Sequence, residues 1–339
     1  MEAAQTTLPN FQIQDLSIAY STKRGMLKAV SNAFVTIADG ESVALIGESG
    51  CGKTTLATSI VGALPLAAEV IHGKLLYKKQ DGKVVDLLRL KKKEMRLLLW
   101  QDIAMVFQAS QSSFNPVKKV KTQFLDAVRA HDRSQSKKQI LQRSAELLET
   151  VMLDSEKVLN AFPHELSGGM KQRALIALSL ILNPRLIILD EPTTALDLIT
   201  QAKILELLND LKMKFGFSLL FITHDLGIVS ELSNTVVTMY AGRVVENSPT
   251  SDFFETPRHP YSNGLINAIP RLSMDSSNIY SIPGSTPDMI DIKDGCPFEP
   301  RCYRRLDQCK KFMPPLEKLE GSNRSFACWN PVNEWKKNG

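Results

Sequence analysis

No apolar stretch in this 339-residue chain approaches the roughly 20 residues that span a bilayer. Its start, Met1-Glu2-Ala3-Ala4-Gln5, lacks the basic and apolar segments of a secretory signal. The chain is therefore expected to stay in the cytoplasm, with any membrane association made through partners. Charge of one sign is scarce as well. The net charge of +5 comes from 41 Lys and Arg against 36 Asp and Glu, a solvated surface rather than a nucleic-acid footprint. There is no internal repeat and no low-complexity tract. Cysteine is nearly absent before the tail: Cys51 stands alone, while Cys296, Cys302, Cys309 and Cys328 crowd together. In a reducing cytosol such clustered thiols read as metal ligands rather than disulfides. What remains is ordinary globular composition, 43% hydrophobic and 23% charged, over a length that suggests one large domain plus an extension.

Residues 11–46 alternate apolar and polar positions with turn signals such as Ala38-Asp39-Gly40, predicting antiparallel strands that lead into a buried strand. A helix from Thr54 carries Leu56, Ile60 and Val61 at helical spacing and is expected to end near Leu64-Pro65. A hairpin is predicted around Asp81-Gly82, and the basic stretch from Arg89 to Arg96 reads as an exposed face. A strand follows at Ile103 to Phe107. Residues 118–182 are helical in pattern. Strand character returns at Leu186-Ile187-Ile188-Leu189 and Ser218-Leu219-Leu220-Phe221-Ile222, separated by a helix from about Ile199 to Phe215. Buried apolar strands joined by a helix imply a parallel sheet, so the fold class is α/β. After about Thr250 the composition shifts toward Pro, Ser and short segments.

Between the strand Ser42–Ile46 and the helix opening at Lys53 lies Gly47-Glu48-Ser49-Gly50-Cys51-Gly52-Lys53-Thr54, followed by Thr55. Glycines at these offsets let backbone N–H groups turn inward as an anion nest, and the helix N-terminus adds its positive dipole end. Lys53 is expected to reach the β and γ phosphates of a nucleotide, and Thr54 to offer its hydroxyl to Mg²⁺. The strand Leu186–Leu189 ends in Asp190-Glu191. Buried strand interiors disfavour charge, so carboxylates there face a site. Asp190 is placed to hold Mg²⁺ through water, and Glu191 to polarise the attacking water as general base. A second anion-binding helix start is written in Leu166-Ser167-Gly168-Gly169-Met170. One phosphate cluster uses two such sites only if both converge on it or if they meet between subunits.

These motifs resemble those of the ATP-binding cassette subunits, over about residues 11–250. The resemblance implies a P-loop NTPase cassette: a RecA-like core, an antiparallel β subdomain and a helical insertion at about 110–180. In that family Ser167, Gly168 and Gly169 would belong to the signature that contacts ATP held by the opposite subunit. Tyr20 takes the place of the aromatic that stacks on adenine. Gln108, after Val106-Phe107, matches the glutamine that contacts Mg²⁺ or water. Asp197, in Ala195-Leu196-Asp197, matches the loop that communicates across the dimer, and His224 the switch histidine on the γ-phosphate. Two cassettes would sandwich two ATP molecules, with binding closing the dimer and hydrolysis releasing it.

His259-Pro260-Tyr261-Ser262, Leu265 and Ala268-Ile269-Pro270 resemble the C-terminal region of oligopeptide, dipeptide and nickel importer ATPases, as does Phe114-Asn115-Pro116-Val117. So does Gly295-Cys296-Pro297-Phe298-Glu299-Pro300-Arg301-Cys302 with Cys309 and Cys328, which places a C-terminal extension at residues 251–339. The implied partners are a second cassette ATPase, identical or different, two transmembrane permeases and an extracytoplasmic binding protein, with this chain at the cytoplasmic face of the membrane. Peptides are the default cargo, with oligosaccharides or nickel as alternatives. The soluble cassette ATPases of DNA repair or translation fit less well, since Thr54 to Leu166 is too short for a long coiled-coil insertion. The cysteine spacing, C-x5-C-x6-C-x18-C, suits either Zn²⁺ or an iron–sulfur cluster, although the paired C-x2-C knuckles of zinc ribbons are absent. Some members of the resembled family carry a [4Fe–4S] cluster on this pattern, which makes the cluster the expectation and Zn²⁺ the alternative.

Overall fold

Alternation of apolar and polar residues builds the first sheet. Along β2 (Gly25–Ile37), Ala33, Val35 and Ile37 are buried while Asn32, Phe34 and Thr36 between them are exposed. The computed structural model describes residues 10–107, 113–193, 197–268, 281–290, 292 and 294–332. In it β1 (Phe11–Thr22) pairs antiparallel with β2 and with β4 (Ala68–Lys78). The hairpin expected around Asp81-Gly82 joins β4 to β5 (Val84–Asp86), giving the order β2-β1-β4-β5. Between β2 and β4 lie β3 (Ser42–Ile46), buried at every residue, and α1 (Lys53–Ile60). This helix stops earlier than its apolar spacing predicts. Gly62 takes a left-handed φ of 63°, which ends the helical run before Leu64.

The basic stretch forms α2 (Lys92–Leu98), and β6 (Ile103–Val106) follows. Four helices then fill the predicted helical region: α3 (Val120–Arg129), α4 (Lys137–Thr150), α5 (Ser155–Asn160) and α6 (Gly168–Ser179). Next come β7 (Leu186–Asp190), α7 (Leu198–Phe215) and β8 (Ser218–Ile222). Strands β6, β7 and β8 pair in parallel in that order, and β7 and β8 are buried throughout. Both faces of such strands are covered, so they read as continuous apolar runs rather than alternating ones.

The chain continues through α8 (Leu226–Leu232), β9 (Thr235–Tyr240), β10 (Arg243–Pro249), α9 (Thr250–Glu255) and α10 (Pro260–Asn267). Short strands β11 (Glu317–Lys318) and β12 (Ser325–Phe326) extend this part of the sheet in the order β11-β12-β10-β9-β3, with β3 and β9 parallel.

Two compact units result: Met1–Ala38, Ser42–Leu88 and Thr223–Gly339 form the first, and Asp39–Glu41 with Arg89–Ile222 the second. In the first, Tyr240, Ala241, Val245, Tyr261 and Phe298 make a core cluster that also receives Ile282, Met289, Cys296 and Cys302. Residues after Thr250 thus share a core with residues at the end of β9 and the start of β10. Among the described residues no helix is long and apolar enough to cross a membrane.

Candidate nucleotide site

The phosphate loop runs from the end of β3 into α1, as its glycines require. Gly47 has φ 145°, and a Cβ there would lie 2.2 Å from the Met239 carbonyl oxygen. Gly52, the residue before α1, has φ 101°, and its Cβ would lie 2.1 Å from the Ala29 carbonyl oxygen. No side chain fits either place, so the loop is tied to glycine by space as well as by backbone angle. Lys53 is 8% exposed and its ammonium points back into the loop. It donates to the Gly47 carbonyl at 2.7 Å and the Glu48 carbonyl at 3.0 Å, with Cys51 Sγ at 3.7 Å. Burial pushes the Cys51 thiol up, an effect that Lys53 partly offsets. Ser49, Gly50 and Thr54 of the same segment are exposed. Tyr20, on β1, meets Thr55 on the first turn of α1, with 3.1 Å between their hydroxyls. The predicted aromatic and the phosphate-loop helix are therefore neighbours.

His224 is exposed just before α8, whose cap is Asp225, accepting from the N–H groups of Gly227 at 2.8 Å and Ile228 at 3.4 Å.

The remaining acid and signature positions lie in the second unit. Asp190 ends β7 at 2% exposure. Glu191 follows with φ 49°, a left-handed angle for a residue that is not glycine, and its N–H donates to the Ile222 carbonyl at 3.0 Å. Such a conformation costs on the order of 1–3 kcal/mol and persists only where the surroundings impose it. It bends the chain directly after the strand's last residue, Asp190.

Ser167 caps α6 by accepting from the Met170 N–H at 3.3 Å, and Gly168 and Gly169 form the helix's first turn. A Cβ on Gly169 would come within 2.9 Å of Thr200 Cγ2. Thr200 is itself held by Asp197, which caps α7 and accepts from the Thr200 N–H at 2.9 Å and hydroxyl at 2.7 Å. These bonds hold the Asp197 carboxyl below its usual range. The two helix starts predicted to face a partner subunit are therefore side by side. Gln108 and Ala195-Leu196 lie outside the described residues.

In the C-terminal extension, Cys309 is buried and the other three cysteines are half-buried. The Cys296 N–H donates to the Cys309 carbonyl at 2.8 Å. Burial raises the thiols of Cys296, to about 11, Cys328, to about 12, and Cys302, and the cysteines reinforce this through their mutual repulsion as thiolates. Yet among the described residues no three His, Cys, Asp or Glu side chains are arranged to hold a metal ion. Four thiolates on one Zn²⁺ at about 2.3 Å must nearly touch one another. The expected ligand set is thus not formed as an ion site, and neither iron–sulfur nor zinc ligation is supported by this arrangement.

Sequence reasoning missed two residues that touch the phosphate loop. Tyr261 accepts the Glu48 N–H at 2.8 Å, and Arg301 grips the Glu48 carboxylate with bonds of 2.7 and 2.9 Å. The signal available was Glu48 itself, an acid inside an anion-binding loop, which calls for a nearby cation.

Residues 30–194 match the family described as ABC transporter, and residues 245–309 match the oligopeptide/dipeptide transporter C-terminal region. The chain is 41% identical over 310 residues to the dipeptide transport ATP-binding protein DppD of Caldanaerobacter subterraneus subsp. tengcongensis, covering 91% of this chain and 94% of that one. It is 37% identical over 334 residues to the oligopeptide transport ATP-binding protein OppD of Salmonella typhimurium, covering 98% and 97% respectively. Among solved structures, the dimeric post-hydrolysis state of the ATP-binding cassette MJ0796 bound to ADP and Pi superposes with a TM-score of 0.62 at 26% identity. That match covers 71% of this chain and 98% of the cassette.

Proposed function

The chain belongs to the ATP-binding proteins of the ABC transporters, and from that premise we propose that it hydrolyses ATP to drive uptake of oligopeptides or dipeptides. The peptide cargo is supported by the relatives' names and by the match of residues 245–309 to the oligopeptide/dipeptide transporter C-terminal region. The observation that carries the nucleotide reading is the loop 47–54, in which Gly47 and Gly52 leave no room for a side chain and Lys53 lies buried among its carbonyls.

In this reading the triphosphate replaces the Gly47 and Glu48 carbonyls as the acceptor of Lys53, with the α1 N-terminus behind it. Tyr20 stacks against the base. Thr54 and Asp190, with Gln108, would hold Mg²⁺, which would offset charge on the phosphate oxygens. An exposed hydroxyl at a helix start and a nearly buried carboxylate at a strand end are donors suited to a hard cation. Glu191 takes the proton of the attacking water, and His224 donates toward the leaving γ-phosphate. Ser167, Gly168, Gly169 and Asp197 serve the nucleotide of a second ATPase, so that ATP closes the pair and hydrolysis opens it. Two permeases and an extracytoplasmic binding protein complete the assembly, with this chain at the cytoplasmic face of the membrane.

The finer proposal for the tail is that its four cysteines receive a [4Fe–4S] cluster. Its support is the C-x5-C-x6-C-x18-C spacing of those cysteines together with the softness of thiolates as ligands.

Glu191→Gln tests the assignment of the base. The variant is expected to bind ATP, to lose hydrolysis by a factor of at least about a hundred, and to accumulate as a closed dimer in size-exclusion chromatography with ATP. Hydrolysis at the parent rate removes Glu191 from the mechanism.

A further inference from the structure

A loop built to receive a triphosphate carries a carboxylate at its second position. Left alone, Glu48 would repel the phosphates and oppose Lys53. The structure supplies its counter-charge from far along the chain. Arg301 Nη1 donates to Glu48 Oε2 at 2.7 Å and Nη2 to Oε1 at 2.9 Å, a two-pronged fork in which the arginine side chain is 7% exposed and the glutamate 27%.

The guanidinium is itself fixed. Its Nε donates to the Pro283 carbonyl at 2.8 Å, Nη1 also reaches the Tyr240 hydroxyl at 3.2 Å, and its carbon lies 5.7 Å from the Tyr240 ring centre. Arg301 ends a single helical turn, Glu299–Arg301, whose preceding Phe298 packs edge-on against Tyr240 at 5.1 Å and Tyr261 at 5.4 Å. Tyr261, from α10, accepts the Glu48 N–H. Two residues of the C-terminal extension thus hold residue 48 by its backbone and by its side chain.

We propose that Arg301 is a positioning residue of the phosphate loop: it neutralises the Glu48 carboxylate and holds it in place, so that the loop binds ATP more tightly with the extension docked. The inference rests on the nucleotide reading of residues 47–54. A buried ion pair roughly breaks even in stability because desolvation offsets attraction. What the fork determines is where the carboxylate sits and whether its charge is felt by the nucleotide. The extension thereby acts on ATP affinity without touching the nucleotide.

The test uses the full chain and titration with ATP·Mg²⁺. Arg301→Ala is expected to weaken ATP binding about ten-fold and to raise KM for ATP while kcat changes less than about two-fold. Adding Glu48→Gln to Arg301→Ala removes the uncompensated charge, so the double variant is expected to recover most of the lost affinity. The penalty of Arg301→Ala alone shrinks as salt is raised, because it is repulsion. Arg301→Lys keeps the charge but loses the fork, and falls between parent and alanine variant. Should Arg301→Ala fail to fold, the lysine variant and its own combination with Glu48→Gln carry the same comparison. Parent affinity in both Arg301 variants, or a double variant no tighter than the single one, overturns the proposal. A parent chain that binds no ATP overturns the nucleotide reading itself, which is a different result.

Discussion

Replacing Arg324 with Met isolates the contact that fastens the end of the chain to β10. Glu246 on β10 is fully buried and Arg324 is 7% exposed, with 3.5 Å between Arg324 Nη2 and Glu246 Oε1. The guanidinium also donates to Ser248 Oγ at 3.1 Å, to Thr256 Oγ1 at 2.9 Å and to the Thr256 carbonyl. Methionine fills similar volume but strands Glu246 without its cation. Breaking one side of a buried pair costs about 3–5 kcal/mol. Glu246 keeps the N–H groups of Arg258 at 2.9 Å and His259 at 2.8 Å, which places the loss at the lower end, about 3 kcal/mol. Urea unfolding should show a lower midpoint with an unchanged slope, and the thermal midpoint should fall by about 6 °C or more. Arg324→Lys should lose less. Glu246→Gln added to Arg324→Met should recover part of the loss, because the amide leaves no buried charge. A shift below about 1 kcal/mol for Arg324→Met, or a second substitution that simply adds its own cost, refutes the reasoning.

The pH dependence has a separate source. His259 is fully buried, its Nδ1 accepts the Tyr261 N–H at 3.1 Å, and burial lowers its pKa from 6.5 to about 3. The unfolded chain therefore binds the extra proton between those two values. The stability contribution is complete above about pH 6.5 and falls on acidification, by at most about 1.4 kcal/mol per pH unit. His259→Asn keeps an acceptor for the Tyr261 N–H and removes the titration, so its stability should decline less from pH 6.5 to 4.5; equal slopes in the two proteins would show that His259 is not the cause. For the cysteines, anaerobic purification with iron and sulfide analysis is expected to give both elements in a coloured preparation, whereas a colourless, iron-free, zinc-loaded protein rejects the cluster.

Local chemistry made the phosphate loop legible in the sequence. The offsets of Gly47, Gly52 and Lys53 follow from what a phosphate requires, and the apolar runs ending at Asp190 follow from strands covered on both faces. The same locality explains the failures. The end of α1 was set by the backbone angle of Gly62, which the spacing of Leu56, Ile60 and Val61 does not reveal. The left-handed turn at Glu191 is equally invisible, since nothing about glutamate favours it. Cysteine spacing suggested a ligand set, but spacing cannot say how far apart four thiols rest, and the structure does not arrange three of them around an ion.

The contacts that sequence reasoning could not reach are those between distant segments: Glu48 with Arg301, Tyr261 with the Glu48 N–H, and Glu246 with Arg324. Two join the C-terminal extension to Glu48 of the phosphate loop and the third joins it to β10, and all three use polar groups rather than apolar area alone. An apolar seam tolerates repacking, whereas a buried carboxylate and its guanidinium have one satisfactory arrangement. The extension is therefore docked in a single register on the loop's own unit. A fold that needed only to cover β10 could have done so with leucines. Arg324 instead fixes the tail on β10, and Arg301 fixes the geometry at residue 48, the one position where a negative charge inside the phosphate loop has to be held in check.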